Sequence, residues 1–128
     1  MRFYDVAVAS LAIDAPRKWT DNVLSQHHVA DVMAPSRGIA RRIPYPALLQ
    51  LALTRQLHVS LGLAVRDALA LAHELLAARG EVAAIWRGSV RIECDRTALE
   101  RELDLRLRET LESAPAPRRG RPVRRRIE

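Results

Sequence analysis

The fold of this chain is decided by residues 5–26, which read DVAVASLAIDAPRKWTDNVLSQ. Apolar side chains recur at helical spacing through the first half of this stretch, and Asp5 precedes them as a favourable helix N-cap. We therefore predict a first helix that begins after Asp5. Its core-facing side chains are predicted to be Val6, Ala9, Leu11 and Ile13.

A break follows at residues 14–16, which read Asp-Ala-Pro. Asp14 is predicted as the N-cap of a second helix, and Pro16 suits an early helical position. This helix is expected to extend from about Ala15 to Ser25. Its core-facing side chains are predicted to be Trp19, Val23 and Leu24. Two short helices joined by a tight break are the components of a helix-turn-helix.

Residues 32–43 are predicted to form a loop or a small hairpin with Gly38 near its tip. Residues 35–38 read Pro-Ser-Arg-Gly, which is a turn signal. Residues 39–43 alternate well enough for a short strand, and Pro44 is expected to end it.

Leucine and alanine at helical spacing predict two longer helices, over residues 45–59 and 63–79, which can pack together as a helical hairpin. A β-hairpin is predicted next, with strands over residues 82–86 and 90–94. The last predicted helix covers residues 97–112.

This last helix carries two recognisable patterns. Thr97 and Glu100 match a capping box at its start. A leucine also recurs every fourth residue, at Leu99, Leu103, Leu107 and Leu111. The leucine stripe can dock onto the hairpin of its own chain or pair with a second chain. We favour the second alternative, a homodimer through residues 81–112, because the stripe follows the predicted hairpin in an acidic part of the chain.

The chain has 128 residues, of which 48% are hydrophobic and only 4% aromatic. This composition favours helices packed through aliphatic side chains over a β-sandwich. The expected fold is mostly α with a small β component: a winged helix-turn-helix followed by a β-hairpin and a C-terminal helix. The expected units are a winged helix-turn-helix domain (residues 1–80), a β-hairpin plus helix for dimerisation (81–112) and a disordered basic tail (113–128).

The net charge of +6 is unevenly distributed along the chain. Residues 1–66 contain 8 basic and 4 acidic side chains, residues 67–112 contain 7 and 10, and residues 113–128 contain 6 and 1, which gives +4, −3 and +5. Positive charge at both ends indicates a polyanionic partner such as DNA.

The order of these elements resembles the DNA-binding domain of the MerR-like winged-helix superfamily over roughly residues 5–78. The resemblance rests on the start of the second helix at Pro16-Arg17, on Gly38, Arg41 and Arg42 in the predicted wing, and on Arg55, Leu57 and Gly62 near the end of the third helix. It implies binding of double-stranded DNA, with a role in transcription regulation. No small-molecule effector is implied.

The second helix and the wing carry the expected DNA contacts. A recognition helix places short or basic side chains where they reach base edges and phosphates, and wing arginines follow the backbone or enter the minor groove. The expected contacts in this part of the chain are Arg17, Lys18, Asn22, Gln26, Arg37, Arg41 and Arg42. The alternative for Arg17 and Lys18 is that they are solvated surface charges.

A second basic segment, RRGRPVRRR, occupies residues 118–126. It contains Arg-Gly-Arg-Pro and so resembles the core of an AT-hook, in which glycine permits close approach and arginines enter the narrow minor groove of A·T-rich DNA. The expected contacts are Arg119, Gly120, Arg121, Pro122, Arg124, Arg125 and Arg126. The equally weighted alternative is a polybasic tail that adds salt-dependent affinity.

Nothing in the sequence favours catalysis, and we expect neither a cofactor nor a metal. Cys94 is the only cysteine, and the four histidines lack metal-ligand spacing. We also expect no signal peptide and no membrane span, hence a cytoplasmic, nucleoid-associated protein. The alternative function is a protein-interaction module, such as an antitoxin or adaptor, in which DNA contact is secondary.

Overall fold

The computed structural model describes residues 2–35, 38 and 40–113. Within these residues the chain forms five α-helices and two small antiparallel sheets. In chain order the elements are β1 (Phe3–Tyr4), α1 (Val6–Ala12), α2 (Arg17–Gln26), β2 (Ile43–Pro44), α3 (Tyr45–Leu61), α4 (Val65–Ala77), β3 (Val82–Arg87), β4 (Val90–Asp95) and α5 (Arg96–Ser113). The prediction of a mostly α fold with a small β component is confirmed.

Helix α1 begins where the sequence predicts. Asp5 Oδ1 accepts a hydrogen bond from the Val8 N–H at 2.8 Å, which satisfies one of the free amides at the helix start. Val6 and Ala9 are buried as expected, but Leu11 is 64% exposed. At about 100° per residue, Leu11 lies on the opposite side of the helix from Ala9, so its expected core position was wrong.

The turn between α1 and α2 differs from the prediction. Asp14 has a φ of +57°, in the left-handed region, so it does not have the extended backbone of an N-cap. Pro16 is extended and caps α2, which therefore begins at Arg17 and ends at Gln26. The left-handed residue lies in the four-residue turn between the helices, so α2 begins later than predicted.

The chain pairs with itself at the base of the predicted 33–42 hairpin, of which residues 36, 37 and 39 lie outside the described residues. The backbone groups of Met33 and Arg42 exchange two hydrogen bonds, at 2.9 and 3.1 Å, and Gly38 lies in the turn with a φ of +75°. The strand that follows is shorter than predicted and lies at β2, where it pairs with β1. Pro44 belongs to this strand and also caps α3.

Helices α3 and α4 pack along each other. Helix α3 extends two residues further than predicted and ends at Gly62, whose φ of +73° turns its N–H onto the carbonyl of His58 at 3.1 Å. A side chain at this position would strain the backbone, so glycine has a structural reason to be there.

The C-terminal hairpin and helix also follow the prediction, apart from the helix cap. β4 leads directly into α5, and Asp95 Oδ1 accepts a hydrogen bond from the Ala98 N–H at 3.0 Å. Asp95 is therefore the N-cap. The predicted capping box of Thr97 and Glu100 is wrong because Thr97 is already inside the helix.

Helix α5 packs on α1 and α3 through its leucine stripe. Leu99, Leu103 and Leu107 are at most 5% exposed and belong to the same core as α1, α3 and α4, whereas Leu111 is 42% exposed. These three leucines therefore pack within the core of their own chain. Their assignment to a dimer interface was wrong. The boundary predicted at residue 80 does not separate two cores.

In the part of the chain that the structure describes, no helix is both long and apolar enough to cross a membrane.

Candidate nucleic-acid interface

Helix α2 presents an uninterrupted polar face to solvent. Six polar residues, at positions 17, 18, 21, 22, 25 and 26, recur at helical spacing and therefore fall on one side of the helix. We call them the α2 stripe: Arg17, Lys18, Asp21, Asn22, Ser25 and Gln26. All are exposed except Asp21, which is half-buried, while Thr20 and Val23 on the opposite face are buried.

The basic side chains of the α2 stripe are free to meet a ligand. None of the ion pairs found among the described residues uses Arg17 or Lys18. The first turn of α2 also contains no acidic residue, and its N-cap makes no side-chain hydrogen bond. The start of this helix therefore combines two cationic side chains with backbone amides that point outward, an arrangement that attracts anions.

Two contacts hold α2 in place from its buried side. The hydroxyl of Ser10 in α1 donates to the Thr20 hydroxyl at 2.8 Å, and both side chains are buried. The Trp19 ring stacks against the His58 ring at a centroid distance of 6.1 Å and lies under the Arg55 guanidinium at 5.0 Å. Because His58 and Arg55 belong to α3, the stripe is carried by a helix that is fixed to two others.

A groove of about 300 Å³ separates α2 from the 33–42 hairpin. It is lined by Asp5, Val6, Arg17, Asp21, Ser25, Pro35, Ala40 and Arg41. The Arg41 side chain is only 15% exposed, and its Nη1 lies 3.9 Å from Asp21 Oδ1. Arg41, which was predicted as a DNA contact of the wing, turns towards α2 in the structure and partly neutralises Asp21.

The outer face of the hairpin carries a different arginine. The Arg42 guanidinium lies over the Phe3 ring, 5.1 Å from its centroid, and Arg42 is exposed. Phe3 and Met33, which share this face, are 37% and 47% exposed. Arg2 lies over the Tyr4 ring at 5.7 Å and is also exposed. Because Phe3 and Tyr4 are consecutive in β1, the two arginine–ring pairs lie on opposite faces of this strand.

The position of Arg2 could not be predicted from the sequence, because the adjacent β1 has only two residues and forms by pairing with the distant β2. Ser25 was also missed as a member of the stripe, although its spacing of eight from Arg17 places it there. Several predicted DNA contacts lie outside the described residues: Arg37, Arg119, Gly120, Arg121, Pro122, Arg124, Arg125 and Arg126.

Two groups outside the stripe have shifted pKa values. Burial, together with a 2.7 Å hydrogen bond from the Tyr45 hydroxyl to Asp104 Oδ1, raises the pKa of Tyr45 above its ordinary value. Burial also raises the pKa of the Cys94 thiol, which disfavours the reactive thiolate. Residues 2–35, 38 and 40–113 contain no group of three or more His, Cys, Asp or Glu side chains that could hold a metal ion.

Comparison of the chain with protein-family models, with curated proteins and with solved structures finds no match.

Proposed function

We propose that this chain binds double-stranded DNA, as a transcriptional regulator or nucleoid-associated factor. The observation that carries this proposal is the α2 stripe. It is a solvent-facing row of basic and amide side chains on a helix whose other face is fixed in the core. A helix held in this way can enter the major groove with its side chains already positioned.

The chemistry of the stripe suits base edges and phosphates. Asn22 and Gln26 carry amides, which pair with adenine through two hydrogen bonds, and Arg17 can form the equivalent pair with guanine. Lys18 suits a phosphate. Asp21 would repel the DNA backbone if it stood alone, and Arg41 beside it reduces that repulsion.

The hairpin gives a second contact in this proposal. Arg42 supplies exposed positive charge next to the α2 groove, which suits the phosphate backbone or the adjacent minor groove. Arg41 acts as a positioning residue that joins the hairpin to α2. The basic tail adds affinity, with an A·T preference if it acts as an AT-hook.

The remaining expectations belong to the same proposal. The resemblance to MerR-like DNA-binding domains supports it, as does the concentration of positive charge at the ends of the chain. A non-enzymatic, cytoplasmic and nucleoid-associated homodimer without an effector is the corresponding description of the whole protein.

Fluorescence anisotropy with labelled A·T-rich and mixed-sequence duplexes tests the proposal. We expect the full chain to bind at about 50 mM salt and to lose affinity steeply towards about 200 mM. Absence of binding at the lower salt concentration would contradict DNA binding and favour the protein-interaction alternative.

A full-length variant separates the tail from the α2 stripe. It carries Arg119→Ala, Arg121→Ala, Arg124→Ala, Arg125→Ala and Arg126→Ala; we call it the tail-neutralised chain. It should bind more weakly but still measurably, because the stripe is intact. If it loses all binding, the tail alone binds DNA and the role of α2 is refuted.

A further inference from the structure

The β3–β4 hairpin is a two-stranded sheet, and no other strand of the described residues pairs with the outer edge of β4. β3 packs against α4 and α5, and the Arg87 guanidinium bonds to Glu74 of α4. β4 packs against β3 and α5, has β3 as its one strand partner among the described residues, and carries the exposed residues Arg91 and Glu93. An exposed strand edge is a place where another strand can add.

The hairpin turn determines which backbone groups face this edge. Arg87 and Val90 pair directly, and only two residues, Gly88 and Ser89, separate them. Gly88 has a φ of +62°, as the first central residue of a type II′ turn requires. The pair next to such a turn is hydrogen-bonded, and the two kinds of pair alternate along the strands. The N–H and C=O groups of residues 91 and 93 therefore point to the outer edge.

The charges on β4 favour one register for a second, antiparallel copy of the same strand. If Ile92 lies on the twofold axis, Arg91 of each copy faces Glu93 of the other, which gives two opposite-charge pairs. If the twofold axis instead passes through Arg91 or Glu93, that residue faces the same residue of the second copy. If the axis passes through Cys94, Glu93 of one copy faces Asp95 of the other. The Ile92 register alone, among these four, has no like-charge pair.

We propose that the β4 edge binds a second copy of this chain, antiparallel and centred on Ile92, to form a four-stranded sheet with the order β3-β4-β4-β3. The hydrogen-bonding groups of residues 91 and 93 are then satisfied in both copies. Val90, which is 58% exposed, comes to lie opposite Cys94 of the second copy. The proposal does not depend on DNA binding, and its tests use protein alone.

Charge exchange at the edge tests this interface by sedimentation equilibrium of the full chain. We expect the unaltered chain to form dimers, and Arg91→Glu and Glu93→Arg each to weaken association at least about tenfold, since like charges then face each other. An equimolar mixture of the two variants should restore dimers, because one chain then has two acidic and the other two basic side chains at the edge.

The mixture also removes an ambiguity. Arg91 Nη2 and Glu93 Oε2 are 2.7 Å apart within one chain, and each single variant loses this ion pair. The mixture does not restore it, so recovered dimers report contact between chains. A monomeric unaltered chain, variants that dimerise as well as the unaltered chain, or a mixture that stays monomeric would each overturn the proposal.

A disulfide tests the register. Val90→Cys places a thiol opposite Cys94 of the second copy, whereas positions 90 and 94 of one strand are about 13 Å apart, too far for a bond within the chain. Mild oxidation should give a covalent dimer on a non-reducing gel. The matched variant Ser89→Cys faces Asp95 in this register and should give little. Equal yields from the two variants, or none from Val90→Cys, would refute the register.

Discussion

Helices α2 and α5 share one pattern of burial and differ on the faces they show to solvent. Each buries one side, with Thr20 and Val23 in α2 and Leu99, Leu103 and Leu107 in α5. The exposed side of α2 carries basic and amide groups, and its one acid lies beside Arg41. The exposed side of α5 mixes both signs of charge: Arg101, Glu102, Asp104, Arg108, Glu109 and Glu112.

This difference shows how much apolar periodicity can reveal. Periodicity identifies the face that a helix buries, and it does so equally for α2 and α5. It does not predict the role of the exposed face. That role depends on which polar side chains the face carries and whether they are already paired. A face with many charges of both signs suits solvent, whereas a face with basic and amide groups, whose single acid lies beside an arginine, suits a polyanion.

The largest effect is expected on the buried face of α5. Leu103 is 2% exposed, so Leu103→Ala should lower the free energy of unfolding by about 2–5 kcal/mol, through lost burial and the cavity left behind. Leu105, two residues on and 49% exposed, is the matched control, and its replacement by alanine should change stability by less than about 0.5 kcal/mol. Urea denaturation measures both. If the Leu103 variant kept its stability but changed its oligomeric state, Leu103 would belong to an interface between chains instead of the core.

The next effect separates the exposed faces. In the tail-neutralised chain, Arg17→Ala combined with Asn22→Ala should weaken DNA binding roughly tenfold to a hundredfold, because both side chains of the α2 stripe lose their base or phosphate contacts. The stability of the chain should change little, since both residues are exposed. Arg108→Ala on α5 is the matched control and should alter neither quantity. An equal loss of affinity from Arg108→Ala would mean that DNA is held by diffuse charge.

The parts of the fold that depend on local signals could be predicted from the sequence. Asp5 caps α1 because a carboxylate before an apolar helix has free amides to bind, and Gly62 ends α3 because the left-handed position favours glycine. The β3–β4 hairpin likewise follows from its alternation and from Gly88. In each case the physical cause lies within a few residues of the feature.

The parts that depend on distant contacts could not be predicted. The leucine stripe of α5 reveals an apolar face, but whether α1 or a second chain covers it is decided by the packing of elements far apart in the sequence. Arg41 illustrates the same limit within the candidate site. As part of the basic wing pattern it looks like Arg42, yet the hairpin turns Arg41 towards Asp21 and leaves Arg42 exposed.

A smaller effect concerns the contact that ties the start of α3 to the exposed side of α5. Tyr45→Phe removes the hydrogen bond to Asp104 and should cost about 1–2 kcal/mol of stability. Folding raises the pKa of Tyr45, so its contribution is present below the ordinary tyrosine pKa of 10.0 and declines as the pH rises above that value. Denaturation series at several alkaline pH values should therefore show a steeper loss for the unaltered chain than for Tyr45→Phe. Parallel pH profiles would contradict this role.

The smallest effect tests where α5 begins. Asp95→Ala should destabilise the chain by about 1 kcal/mol, because the Ala98 amide loses its cap. Thr97→Ala should change stability by less than about 0.5 kcal/mol, since Thr97 makes no capping hydrogen bond among the described residues and alanine favours the helix interior. Thermal and urea unfolding of the two variants give the comparison directly. If Thr97→Ala destabilised the chain more than Asp95→Ala, Thr97 would be the N-cap. Helix α5 would then begin after Thr97 instead of after Asp95.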